Sequence, residues 1–81
     1  MTGLRIHYSD HAVREMRKAR ITRQTVRSVI QEGRRQPEPY KSGEVGWLST
    51  LRIENSTYAV VWVKRKAHLL VVTAYRVGEY D

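Results

Sequence analysis

Hydrophobic and polar residues alternate at two different periods along this chain, and the period changes near its middle. Leu4, Ile6 and Tyr8 alternate with Arg5 and His7, the period-two pattern of a short strand over residues 4–8. Ser9 follows, a side chain suited to capping a helix N-terminus. From Asp10 to Ala19, the apolar positions Ala12, Met16 and Ala19 share one face at about 100° per residue, with Val13 at its margin. This predicts a helix over 10–19 whose thin stripe of small residues lies close to its support. Thr22 is the cap of a second predicted helix, 23–32, which buries Val26, Val29 and Ile30 and stops at Gly33. The two helices form a hairpin with a shared apolar face.

Residues 33–46 hold both prolines and three of the five glycines, and read as an irregular loop. Beyond Trp47 the period falls to two. Segments 47–54, 57–64 and 68–76 are rich in Val, Leu, Trp, Tyr and Thr and are each of strand length. Asn55-Ser56 turns the first into the second, and Arg65-Lys66-Ala67 joins the second to the third. Pairing Glu54 with Thr57 and Val63 with His68 puts Leu51, Ile53, Tyr58, Val60, Trp62, Leu69 and Val71 on the helix-covered face. Thr50, Arg52, Ala59, Val61, Val63, Leu70, Val72, Ala74 and Arg76 then lie on the other face, and a one-residue slip would exchange the two. The predicted fold is α+β: a short N-terminal strand, a helical hairpin, then a three-stranded antiparallel β-meander with both helices on one face. With 81 residues, the chain is expected to form a single domain.

Charge changes the picture more than any other compositional fact. Fifteen Lys and Arg against eight acidic residues give a net charge of +7, and most of the cations are arginine. Arginine pairs a permanent charge with a planar fork that fits phosphate, so a polyanionic partner, most often nucleic acid, is expected. The basic residues assigned to that contact are Arg17, Lys18, Arg34, Arg35, Arg52, Lys64, Arg65, Lys66 and Arg76. Cysteine is absent, which excludes disulfides and thiolate metal sites. No apolar run approaches the length of a membrane span, and the first residues lack a signal peptide's apolar core. A cytoplasmic protein with no membrane partner is expected.

The three histidines, His7, His11 and His68, show no metal-ligand spacing, and no glycine-rich phosphate loop or Gly-x-Ser-x-Gly elbow occurs. Neither a metal nor another cofactor is expected. What remains is metal-independent chemistry on a phosphodiester. Cleaving RNA requires a base for the 2′-hydroxyl, an acid for the leaving oxygen and cations for the charge between them. His11 and Glu15, at i and i+4 on the first helix, are neighbours able to supply the proton roles. Arg14 lies beside them, and Arg52 and Arg76 are expected to approach from the sheet.

Ser9-Asp10-His11-Ala12, Met16, Ile21-Thr22, Val26 and the late run Val71-Val72-Thr73-Ala74-Tyr75 resemble the small bacterial family called domain of unknown function 4258. That family is grouped by fold analogy with the barnase–EndoU–colicin–RelE ribonucleases, many of them toxins. The resemblance implies a RelE-like endoribonuclease acting on RNA, free or on the ribosome, with an antitoxin or inhibitor protein as a further partner. It implies a site at His11 and the Thr73/Tyr75 end of the last strand. The family's arginine before the methionine is Glu15 here, and its arginine–glycine before the isoleucine is Ala19-Arg20. Two alternatives stand beside the enzyme: a non-catalytic nucleic-acid-binding module of phage or mobile-element type, and an interaction protein whose basic face meets an acidic partner.

Overall fold

The computed structural model describes residues 5–77. Its elements are β1 (Ile6–Tyr8), α1 (Asp10–Ala19), α2 (Arg23–Glu32), β2 (Arg34–Pro39), a single 3-10 turn at Lys41–Gly43, β3 (Val45–Ile53), β4 (Ser56–Lys64) and β5 (Leu69–Val77). The five strands form one mixed sheet in the order β1-β5-β4-β3-β2. The class is α+β, with α1 laid along β5 and α2 over β3 and β4. No helix among the described residues is long and apolar enough to cross a membrane.

Both predicted caps form. The Ser9 hydroxyl accepts from the Ala12 N–H at 3.0 Å, and Thr22 Oγ1 accepts from the Thr25 N–H at 3.1 Å. The C-termini differ. Arg20 ends α1 in the left-handed region at φ 57°, where glycine is the usual residue. Gly33 ends α2 with an extended backbone, φ −78° and ψ 170°. It is needed there for another reason: a Cβ would run into the carbonyl oxygens of Thr50 and Val29, where α2 meets β3.

The sheet is larger than the meander expected from the sequence, because its two edge strands carry little signal. β2 pairs antiparallel with β3 from Arg34–Thr50 to Pro39–Val45, inside the segment expected to be a loop. Its sequence, RRQPEP, is polar and mostly exposed, so no buried face gives it a period of two. Two prolines suit such an edge, since they blunt it against further pairing. At the other edge, β1 runs parallel to β5 with Ile6 opposite Leu69 and Tyr8 opposite Val71. Leu4, expected to begin this strand, lies outside the described residues.

Register departs from expectation in two ways with different consequences. The β3–β4 hairpin turns at Glu54-Asn55, not Asn55-Ser56: Ile53 pairs Ser56, and Glu54 takes the left-handed φ of 57°. Val63 pairs Leu70 rather than His68. Each displacement is two residues, so no side chain changes face. The second departure is a bulge. Val61 pairs Thr73 but Trp62 pairs Val71, leaving Val72 as the extra residue. Beyond it the alternation of β5 reverses. Ala74 and Arg76, expected on the open face, are turned to the helix-covered face, and Ala74 is fully buried there. Thr73 and Tyr75 lie on the open face instead.

The core sits between the helices and this one face. Ala12, Met16, Ile21, Val26 and Val29 pack onto Val60, Trp62, Leu69, Val71 and Ala74. Ser49 is fully buried among them, and its hydroxyl accepts from the Trp62 indole N–H at 2.9 Å.

Candidate nucleic-acid interface

The start of α1 is fixed to β5 by its cap residue. Ser9 donates its backbone N–H to the Val71 carbonyl at 3.0 Å and its hydroxyl to the Val72 carbonyl at 3.0 Å. The bulged residue's carbonyl thus holds the turn that carries His11, next to Thr73. Because Ala12 and Met16 face the sheet, His11, Glu15 and Lys18 share one flank of α1, and Val13 and Arg17 the opposite flank.

His11 and Arg14 are exposed, and Glu15 is half-buried with its carboxylate 3.5 Å from the Lys18 ammonium. Thr73 is half-buried and Tyr75 is 42% exposed. Among the described residues, no hydrogen bond or ion pair joins His11 to Glu15, Arg14, Thr73 or Tyr75. The fold therefore gathers His11, Arg14 and Glu15 on α1, with His11 unpaired among the described residues and Glu15 engaged by a lysine, whereas Thr73 and Tyr75 turn their side chains to the opposite, open face of the sheet.

The remaining basic residues are spread over several surfaces. Arg34 and Arg52 are exposed on the open face, and Arg52 Nε donates to the Glu54 carbonyl at 3.2 Å. Lys64 and Lys66 are exposed at the β4–β5 end, where Arg65 forms an ion pair with Glu44. Arg76, turned by the bulge, donates from Nε and Nη2 to the Ala19 carbonyl at 3.2 and 3.0 Å. Its Nη1 reaches Ser56 Oγ at 3.1 Å and the Tyr58 hydroxyl at 3.3 Å. Arg35 lies 4.7 Å above the Trp47 ring centre and 5.9 Å from that of Trp62, and makes no hydrogen bond among the described residues.

Two further clusters carry no signal in the linear pattern. The first is a pair of grooves on the helical side that meet at Arg23. One, of about 270 Å³, is lined by Val13, Met16, Arg17, Ile21, Thr22 and Arg23. The other, of about 440 Å³, is lined by Ile6, Tyr8, Arg23, Gln24 and Arg27. The Arg23 guanidinium lies 4.8 Å over the Tyr8 ring. Burial pushes the Tyr8 phenol above its ordinary value, partly offset by Arg23 and Arg27, so it remains a neutral hydroxyl. The meeting of Arg23 and Arg27 with Tyr8 requires the β1–β5 pairing.

The second cluster is a histidine stack. His7 and His68 lie with ring centres 3.9 Å apart and planes at 19°. Parallel pairing of β1 with β5 brings together residues sixty-one apart in the chain. Partial desolvation, with the charges of His7, Arg65 and Arg5, holds the His68 imidazole below its ordinary pKa. Among the described residues, no three His, Asp or Glu side chains gather as a metal-ligand set.

No curated protein and no solved structure matches the chain significantly. A family model described as a domain of unknown function, DUF4258, matches residues 8–76, from the strand that carries Tyr8 to the arginine that clasps α1. The match takes in both helices, the bulge and every candidate residue named above except Arg5, Ile6 and His7, and the chain belongs to the DUF4258 family.

Proposed function

We propose that this protein binds RNA through the arginine-lined grooves of its helical side. The observation that carries the reading is the meeting of two grooves at Arg23, with Arg17 in one and Arg27 in the other. Three arginines along two adjoining grooves supply a chemistry suited to a phosphate backbone, and the half-buried Tyr8 adds a ring beneath the central one. The net charge of +7 supplies long-range attraction to the same partner. Binding of this kind weakens steeply with salt, because each neutralised phosphate releases counterions. With labelled single-stranded RNA, Arg23→Ala is expected to weaken binding and lower the slope of log affinity against log salt by about 0.7. An unchanged slope in both Arg17→Ala and Arg23→Ala would remove these grooves from the interface.

A second reading, metal-independent endoribonuclease, is favoured by the attachment of the His11 turn to the bulge beside Thr73. In it, His11 exchanges the proton at the 2′-hydroxyl or the leaving 5′-oxygen, Glu15 takes the other role once released from Lys18, and Arg14 faces the phosphorane charge. Cleavage of labelled RNA in the presence of EDTA, lost in His11→Ala, is the expected result under this reading. RNA binding without cleavage in both proteins supports the binding module alone.

A further inference from the structure

A third groove, of about 380 Å³, opens at the far end of the helix-covered face from Arg76. Ile30 and Gln31 of α2, Arg35 of β2, Trp62 and Lys64 of β4 and Leu69 of β5 line it. Its volume falls in the range of small-ligand sites. Its make-up is uneven: Ile30, Leu69 and the Trp62 edge give an apolar floor, while Arg35, Lys64 and Gln31 stand at the rim.

The state of Arg35 is the informative feature. A guanidinium has two faces and five N–H donors. One face of Arg35 lies on Trp47, and none of its donors is used by a protein acceptor among the described residues. Lys64 is likewise exposed and without a salt bridge there. The platform beneath is rigid, since the Trp62 indole is anchored to buried Ser49 and tilted against Trp47 with ring centres 6.2 Å apart.

From this arrangement we infer that the groove is a nucleotide subsite, holding one base and its phosphate from a single-stranded RNA. The base stacks on the outer face of Arg35, continuing the order Trp47, guanidinium, base, with Ile30 and Leu69 against its edge. The phosphate takes the free donors of Arg35 and the Lys64 ammonium. Gln31 offers an amide donor and an acceptor to the base edge. The inference rests on the RNA reading above, and it adds a position where a base, rather than the backbone alone, is gripped.

The chain's only two tryptophans both adjoin Arg35, so their fluorescence reports on this groove directly. The full chain is titrated with 5′-AMP and with adenosine, exciting at the red edge of tryptophan absorption. Saturable quenching by 5′-AMP is expected, with affinity reduced by at least about tenfold in Arg35→Ala and severalfold in Lys64→Ala. Adenosine is expected to bind more weakly than 5′-AMP. No saturable quenching, or equal affinity in wild type, Arg35→Ala and Lys64→Ala, would overturn the subsite. A parallel measurement of RNA retention separates the two ideas. RNA binding that persists unaltered in Arg35→Ala and Lys64→Ala, with no response to 5′-AMP, defeats the subsite and leaves the helical grooves standing.

Discussion

Two arginines lie over aromatic rings on the same face of the sheet, at opposite ends, and only one has its hydrogen bonds filled. Arg76 stacks 5.1 Å from the Tyr58 ring centre and spends its donors on Ala19, Ser56 and Tyr58. Arg35 stacks on Trp47 with donors free of protein acceptors among the described residues. The geometry of the stack is nearly the same, so it does not distinguish the two roles. The fate of the donors does. Arg76 closes an end of α1: the Ala19 carbonyl, the last of the helix, accepts from Arg76 where no helical N–H follows to reach it. Arg35 ends at a groove, where a partner must come from outside.

Cutting each side chain back to alanine should separate the two corners most widely. Arg76→Ala strips the Ala19 carbonyl of its clasp and removes the stack on Tyr58, at a helix end already strained by the left-handed Arg20. For these exposed, charge-assisted bonds the cost is about 1–2 kcal/mol. That lowers the midpoint of thermal unfolding by about 4–16 °C in a chain of this size. Arg35→Ala should cost no more than about 0.5–1 kcal/mol, the worth of one exposed cation–π contact. Its larger effect falls on nucleotide affinity. Equal loss of stability in the two variants, followed by circular dichroism, would erase the distinction.

A buried contact sharpens the same comparison from beneath. If the Arg35 corner is stiff because of its indoles, the hydrogen bond from Trp62 to Ser49 should matter more to stability than Arg35 itself. Ser49→Ala leaves a buried indole N–H without its acceptor, a loss of about 1–3 kcal/mol before any relaxation. Ser49→Thr keeps the acceptor and is expected to recover part of it. The readouts are the denaturation midpoint and the tryptophan emission maximum, which should shift in Ser49→Ala as the indole loses its acceptor.

The contrast between the two corners also shows what the chain discloses in one dimension. The helices and their caps were legible, because Ser9 and Thr22 act on N–H groups three residues away and Ala12, Met16, Val26 and Val29 repeat at the helical period. The faces of β3 and β4 were legible as well, because even slips in register preserve them. The position of Arg76 was not. One extra residue at Val72 reverses the end of β5, and nothing in Val71-Val72-Thr73 marks which residue goes unpaired. β2 was missed because it buries almost nothing, and Arg35 was legible as a cation but not as a stacked one. The histidines divide in the same way. His11 could be placed at a helix start from its neighbours, whereas His7 and His68 meet only through a parallel pairing of three residues.

That stack gives the comparison its last and smallest test. Neither arginine corner contains a histidine, so neither should make stability depend on pH between about 5 and 8. His68 should. Its folded-state pKa lies below the ordinary histidine value of about 6.5, so the unfolded chain binds its proton more readily. The contribution of neutral His68 to stability is therefore complete above that ordinary value, and declines as the pH falls below it towards the folded-state pKa. Arg65 and Arg5 lie close enough to hold that pKa down, so acid adds a cation to a region already positive. The expected outcome is a thermal midpoint that is level from pH 8 to 7 and drifts down below about 6.5. The same drift should persist in Arg76→Ala, offset to lower temperature, and should flatten in His68→Gln. A drift retained in His68→Gln would assign the acid sensitivity to other groups. A drift abolished in Arg76→Ala would mean that the two ends of β5 are coupled, and that Arg76 does more than hold one helix end.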